Sequence, residues 1–267
     1  MSIVSSLAII LYFGTGFLLL RQLFKHPDKP CAAKQWLLPG LIAVILHGWI
    51  LYHSIFHNPA GLDLGFFTIF SLVGWLVALL LLTTSFRQPI ECLGILVLPF
   101  TALALFLGQI SDQHHYLPPN LDIGLKFHIT ISILAYSLLS IAMVQALLLY
   151  VQDAHLHNKR PGGFIRSLPP LQTMETLLFR MIGLGFMVLS ISLVSGMLFV
   201  ENLFAQHLVH KTILSILAWL IFAILLGGRW RFGWRGRIAV RWAMTAFVVL
   251  MLAYFGSKFV IELILQY

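Results

Sequence analysis

The residues best suited to chemistry in this sequence are its histidines, and their distribution is uneven. Of the 11 histidines, His26, His155 and His157 lie in connections rich in lysine and arginine. The others lie in the alternate connections or on the apolar runs leading to them: His47, His53, His57, His114, His115, His128, His207 and His210. Imidazole is the commonest side-chain ligand of protein-bound metals and titrates near neutral pH. The clustering therefore predicts a metal, haem or proton-linked site on the side that these histidines share.

Two of these histidines each have two interpretations. His128 lies near the start of an apolar run, directly after Lys126 and Phe127. It is either a ligand or a structural histidine hydrogen-bonded to a neighbouring helix. His47 lies deep within another apolar run, where an ionisable group is costly in lipid and indicates function. The alternative for His47 is a packed neutral imidazole bonded to a serine or to a backbone carbonyl.

The remaining histidines form pairs with informative spacing. His53 and His57 are four residues apart, and His207 and His210 are three apart, so each pair shares one face of a helix. We expect the second pair to lie in an outer loop. No P-loop, GxSxG, HExxH or paired intramembrane aspartate is present. Two cysteines are too few for a disulfide framework, and their spacing fits neither a CxxC pair nor a zinc ribbon. The sequence therefore offers no catalytic constellation.

The elements that position these histidines are predicted by composition. Charged residues make up 10% of the chain and hydrophobic residues 60%, whereas about 25% of a soluble globular chain is charged. A chain so apolar requires lipid as its solvent, and a spanning helix needs roughly 20 apolar residues. Cutting the chain at its charged residues leaves eight long runs: Met1–Leu20, Gln35–Leu62, Leu64–Phe86, Cys92–Ser111, Phe127–Gln152, Met181–Val200, Thr212–Gly228 and Trp242–Ser257. The prediction is an all-α polytopic membrane protein with about eight transmembrane helices, forming a single membrane domain over 1–267.

Lysine and arginine alternate between the connections. All 17 except Lys126, Lys211 and Lys258 fall in or beside the first, third, fifth and seventh connections. The positive-inside rule makes that side cytoplasmic, so both termini face outward. The same rule explains the net charge of +8, and we expect membrane lipid rather than nucleic acid to surround the chain.

Several segments resemble the CcsA/CcmC-type cytochrome c assembly family. The stretch from His128 to Leu139 (HITISILAYSLL) is similar to its histidine-containing span. Residues 57–67 (HNPAGLDLGFF) resemble its outer loop, and residues 252–257 (LAYFGS) resemble its last span. The whole chain is most similar to the eight-helix, YpjD-like inner-membrane branch, through residues 214–219 (LSILAW) and 233–237 (GWRGR).

The resemblance implies a multi-pass protein of the bacterial inner (plasma) membrane that presents haem at the outer face. It implies haem b as the cofactor, and apocytochrome c and other cytochrome c assembly proteins as partners. The protein would act as a scaffold or carrier rather than as an enzyme. His128 matches the histidine that ligates haem iron. The implied second ligand is His210, His207 or His57, and His47 is a further candidate for cofactor binding.

One family motif is changed in this sequence. A tryptophan-rich outer motif with a WxWDPKE-like core belongs between the sixth and seventh spans. Here the corresponding residues run from Glu201 to Lys211 and contain no tryptophan or aspartate. Lys211 matches the lysine of the motif. A second outer histidine expected near the last span is also missing, and His207 or His210 would replace it.

Two other functions stay open on the sequence alone. The first is a transporter or an accessory to ion transport, in which His47 relays protons or coordinates a substrate. The near absence of acidic residues from the spans argues against it, because transporters usually carry acids or broken helices at mid-membrane. The second is a structural subunit of a larger membrane complex, in which every histidine is simply packed.

Overall fold

The computed structural model describes residues 2–25, 37–56, 62–86, 90–111, 116–117, 122–157, 168–199 and 206–256. Its main elements are α1 (Ile3–Lys25), α2 (Leu37–Phe56), β1 (Leu62–Asp63), α3 (Phe66–Ser85), α4 (Gly94–Ile110), β2 (Tyr116–Leu117), α5 (Ile123–His157), α6 (Leu171–Phe199), α7 (Gln206–Phe232) and α8 (Gly236–Met251). A 3₁₀ turn (Glu91–Leu93) precedes α4, and a π turn (Leu252–Gly256) continues α8.

The predicted fold class is confirmed. In the described ranges, eight helices are long and apolar enough to cross a membrane. Helices suit lipid because each backbone N–H and C=O is satisfied within its own segment. The two strands are a minor addition, since they form a single antiparallel pairing of Leu62 with Leu117 and Asp63 with Tyr116.

Some helices, namely α1, α5, α6 and α7, are longer than the charge-free runs. α5 begins four residues before the predicted Phe127 and continues to His157. α6 begins at Leu171, so it includes both Glu175 and Arg180, which lie before the predicted start. A charged residue marks where the hydrocarbon region ends, but it does not interrupt the backbone hydrogen bonds of a helix. Charge therefore predicts the spans better than it predicts the helix ends.

The expectation that His207 and His210 lie in a loop is wrong. α7 begins at Gln206, so both residues lie in its first turns. The segment from Gln206 to Lys211 contains no glycine or proline that would prevent helix formation. The end predicted for the last span, Ser257, lies outside the described residues.

The chain divides into two compact units. The first contains residues 1–119 and 154–170, and the second contains residues 120–153 and 171–267. The single domain over 1–267 stays a prediction. In the first unit, α4 packs on α1 and α3, and α2 packs on the same two helices. A Cβ on Gly48 would lie 3.1 Å from the ring of Trp75. The missing side chain lets that ring approach α2 and donate its N–H to the carbonyl of Val44 at 2.8 Å.

In the second unit, α7 packs against α6 and α8. A tight turn joins α7 to α8, and Gly233 and Gly236 adopt positive φ angles of 66° and 54° there. This is backbone geometry that glycine adopts without strain. The N–H of Gly236 donates to Oε1 of Glu175 on α6 at 2.6 Å, and Arg237 pairs with Asp153 of α5 at 2.7 Å. These contacts attach the start of α8 to α5 and α6.

Candidate functional site

The first polar cluster surrounds His128 in the second unit. His128 lies in the second turn of α5 and faces the C-terminal part of α6. Its Nδ1 lies 3.1 Å from the backbone carbonyl oxygen of Ser192 and 3.0 Å from Oγ of Ser195. The imidazole itself is half-buried. The cluster therefore attaches one edge of the ring to α6.

These contacts determine which ring nitrogen carries the proton. A backbone carbonyl oxygen only accepts, so Nδ1 must donate to Ser192. The hydroxyl of Ser195 already donates its single hydrogen to the same carbonyl at 2.8 Å, so its oxygen accepts from Nδ1 as well. A neutral imidazole protonated on Nδ1 carries a lone pair on Nε2. Among the described residues, Nε2 of His128 makes no hydrogen bond, so it is available to ligate a metal.

Small residues of α6 make room for the ring. A Cβ on Gly196 would lie 3.0 Å from Cε1 of His128 and 3.4 Å from Nδ1. Ser132 donates to the carbonyl oxygen of His128 at 2.6 Å, and its Oγ lies 2.8 Å from Oγ of Ser192. The backbone and the ring of His128 are thus both held against one face of α6.

A lysine and a group of aromatic rings lie beside this cluster. Nζ of Lys211 on α7 lies 5.1 Å from the ring centroid of Tyr254 in the π turn after α8. Lys211 lies near the start of α7, His128 near the start of α5, and Tyr254 directly after the end of α8. The ring of Tyr136, two turns further along α5 than His128, lies 6.3 Å from that of Tyr254 and 5.3 Å from that of Phe255. Three helices and the π turn therefore contribute to one region.

The second polar cluster lies in the first unit and is centred on His47. Its Nε2 lies 2.9 Å from Oγ of Ser71, and its Nδ1 lies 3.3 Å from Oη of Tyr12. His47 and Tyr12 have no exposed surface, and Ser71 has 2%. Because both ring nitrogens are engaged, His47 has no lone pair directed at a ligand. The geometry favours the interpretation of a packed imidazole over a ligand or a relay.

The other candidate histidines are placed as follows. His210 is exposed on the first turns of α7, directly before Lys211. His207 belongs to the same helix, but its side chain lies outside the described part, as does the whole of His57. His53 is exposed on α2, with its ring 4.6 Å from that of Trp49.

No group of three histidine, cysteine, aspartate or glutamate residues suited to a bare metal ion occurs in the described ranges. Haem iron is compatible with this, because it needs only one or two protein ligands.

The sequence analysis did not identify the residues that orient His128. Ser192, Ser195 and Gly196 are spaced three and four apart, so they lie on one face of α6. Small residues with this spacing indicate close helix–helix contact in membranes. That pattern was available in the sequence, but it does not say which helix makes the contact.

Comparisons with known proteins give consistent results. The profile of the family described as cytochrome C assembly protein matches residues 35–265. The chain is 31% identical to Inner membrane protein YpjD of Escherichia coli (strain K12) over 229 residues, which cover 85% of this chain and 87% of that protein. It is 26% identical to Protein HemX of Brevibacillus brevis over 231 residues, covering 81% and 82%. It is 31% identical to Cytochrome c biogenesis protein CcsA of Chlamydomonas reinhardtii over 194 residues, covering 68% and 53%.

Proposed function

Because this chain belongs to the cytochrome c assembly protein family, we propose that it holds haem in the membrane and presents it at the outer face. Family membership and the similarity to a cytochrome c biogenesis protein support a role in that process. The eight apolar helices, with similarity to an inner membrane protein over most of both chains, make it a multi-pass protein of the bacterial inner membrane.

The observation that carries this proposal is the orientation of His128. Its Nδ1–H is committed to Ser192 and Ser195 of α6, which leaves the Nε2 lone pair for iron. Histidines that bind metals commonly donate their other ring N–H to a carbonyl or carboxylate, which fixes the tautomer and the ring plane. The contacts of His128 match that pattern, while those of His47 do not. His128 is therefore the proposed axial ligand.

In this proposal haem is the cargo of the protein, and its own iron and vinyl groups carry the reactivity. The protein contributes a ligand, an orientation and a surrounding that excludes water. His210 is the proposed second ligand, because it lies near the start of α7, which packs against α6, the helix to which His128 is hydrogen-bonded. His207 and His57 are the alternatives. The partners are then apocytochrome c and other assembly proteins at the outer face.

The test is an absorption spectrum of the detergent-purified protein, as isolated and after titration with haem. We expect a Soret band in the wild type and its loss or displacement in His128→Ala. Added imidazole should restore the band in His128→Ala by occupying the vacated ligand position. The matched control is His157→Ala, which removes an exposed histidine from the last turn of the same helix.

The possible outcomes distinguish haem ligated by His128 from haem ligated elsewhere and from the absence of haem binding. A Soret band that depends on His128 and is unaffected by His157→Ala supports the proposal. A band equally strong in His128→Ala would assign the iron to another histidine. No band in folded wild-type protein after haem addition would mean that this member of the family does something other than hold haem.

A further inference from the structure

Lys211 occupies an unusual position for a lysine in an apolar protein. It is only partly exposed, and its ammonium lies over the π face of Tyr254 at 5.1 Å. A cation over a tyrosine ring is attracted by the ring quadrupole, more strongly where water is excluded. The ring thus holds the ammonium in one place instead of leaving the long side chain to extend into solvent.

The position of Tyr254 is itself fixed by neighbouring aromatic rings. α8 ends in a π turn, a rare local geometry that occurs often at functional sites. This turn brings Tyr254 and Phe255 to Tyr136, which is only 9% exposed. Tyr136 also contacts Phe247 of α8, with ring centroids 5.5 Å apart. An aromatic group made of Tyr136, Phe247, Tyr254 and Phe255 therefore supports Lys211.

His128 and Tyr136 relate this group to the iron ligand. They are eight residues apart on α5, which places Tyr136 roughly 12 Å along the helix axis and about 80° around it. Tyr136 contacts Tyr254, and Tyr254 carries Lys211. Lys211 lies near the start of α7, which packs against α6, and the C-terminal part of α6 is hydrogen-bonded to His128. The free Nε2 of His128, the ammonium of Lys211 and the aromatic rings thus belong to one region of the second unit.

We propose that Lys211, held by Tyr254, binds a propionate carboxylate of the haem whose iron His128 ligates. This inference rests on the proposed function. A haem molecule has an apolar ring system with carboxylates along one edge, which requires an aromatic or aliphatic wall and a separate cation. A charge-assisted hydrogen bond from the ammonium to a propionate supplies that cation. Lys211 would then fix how the haem is rotated about the His128–iron bond. That rotation determines which edge of the porphyrin faces the outer surface of the membrane.

The test compares haem with haem dimethyl ester, in which both carboxylates are blocked, by absorbance titration of the purified full chain. We expect wild type to bind haem on the order of tenfold more tightly than the ester. Lys211→Gln should lose this preference, and Lys211→Arg should keep it. The ratio of the two affinities is compared between variants, so the different membrane partitioning of the two porphyrins cancels.

Two further variants separate charge recognition from general damage. Lys126→Gln removes an exposed lysine two residues from His128, and its ester preference should equal that of wild type. Tyr254→Leu removes the supporting ring and should reduce the preference, whereas Tyr254→Phe retains the ring and should preserve it. Equal binding of haem and ester by wild type, or an unchanged preference in Lys211→Gln, would overturn this inference while leaving the role of His128 intact. Failure of every variant to bind either porphyrin would overturn the proposed function and this inference together.

Discussion

Nδ1 of His128 on α5 donates to the backbone carbonyl of Ser192 on α6 at 3.1 Å, although the two residues are 64 positions apart in the chain. A carbonyl cannot donate, so this one contact determines the tautomer of the imidazole. It also leaves the unprotonated Nε2 without a hydrogen bond among the described residues. The difference between a packed histidine and a candidate ligand depends on this kind of contact, and His47 provides the comparison, since both of its nitrogens are engaged.

Removing the second acceptor of Nδ1 should weaken haem binding. Ser195→Ala deletes the oxygen that lies 3.0 Å from Nδ1, while the Ser192 carbonyl remains to hold the tautomer. We expect about a tenfold loss of haem affinity, typical of altering a group that orients a metal ligand. The measurement is a haem titration beside Ser137→Ala, a buried serine of α5 whose hydroxyl bonds only to its own helix. Equal affinities for the two variants would show that Ser195 does not orient the ligand.

Adding one methyl group beside the ring should displace it. The Cβ of Gly196→Ala would lie 3.0 Å from Cε1 of His128, which is tighter than ordinary contact. We expect a weakened or shifted Soret band in a folded protein. Gly183→Ala on the same helix is the control, because nothing lies within 4 Å of its added Cβ. A spectrum of Gly196→Ala identical to that of Gly183→Ala would mean that α6 tolerates the methyl group without moving His128.

Replacing His210 should change the spin state of the iron rather than abolish binding. If His128 and His210 bracket the iron, the ferric form is six-coordinate and low-spin. His210→Ala should then become high-spin, which electron paramagnetic resonance and the visible bands report. His53→Ala, an exposed histidine on α2, should leave the spin state unchanged. A switch produced by His207→Ala or His57→Ala instead would assign the second ligand to that residue.

The His47 cluster should contribute to stability and not to haem binding. Ser71→Ala leaves Nε2 of His47 without its partner at 2.9 Å, and a buried polar group left unpaired costs about 1–3 kcal/mol. We expect the free energy of unfolding in bicelles to fall by that amount, with an unchanged Soret band. Ser85→Ala is the matched control, since this buried serine of α3 bonds only to Leu81 of its own helix. If the folded Ser71→Ala protein instead lost its Soret band, His47 would be implicated in haem binding.

The orientation in the membrane gives a separate prediction. Cysteines placed at Lys126 and at Arg231, in a background lacking Cys31 and Cys92, should react differently with a membrane-impermeant maleimide. Lys126→Cys should be labelled from outside intact spheroplasts, and Arg231→Cys only after lysis, because the positive-inside rule predicts that the arginine-rich connection faces the cytoplasm. The reverse labelling would place His128 at the cytoplasmic end and exclude presentation at the outer face.

The helix boundaries show where sequence reasoning stops. Apolar runs predicted eight spans because hydrophobicity alone decides which segments enter lipid. They could not predict that α6 begins at Leu171 and continues through Glu175 and Arg180, because a helix outside the hydrocarbon region depends on local packing. Glu175 accepts from the N–H of Gly236 at 2.6 Å, a contact between distant parts of the chain that no local pattern reveals.

The sequence by itself determined the solvent and the number of helices, because these depend on composition and on one-dimensional patterns, and it predicted the side on which the histidines gather. Through the family resemblance it indicated His128 as the ligand of haem iron, with His47 as a further candidate, and each kept the alternative of a packed histidine. Only the tertiary structure gave each of them its neighbours. It placed Tyr12 and Ser71 on the two nitrogens of His47, and it placed Ser192 and Ser195 of α6 on one nitrogen of His128. The physical reason is that an imidazole acts as a ligand only through a nitrogen that no neighbour occupies, and its neighbours come from helices whose pairing the chain order does not reveal.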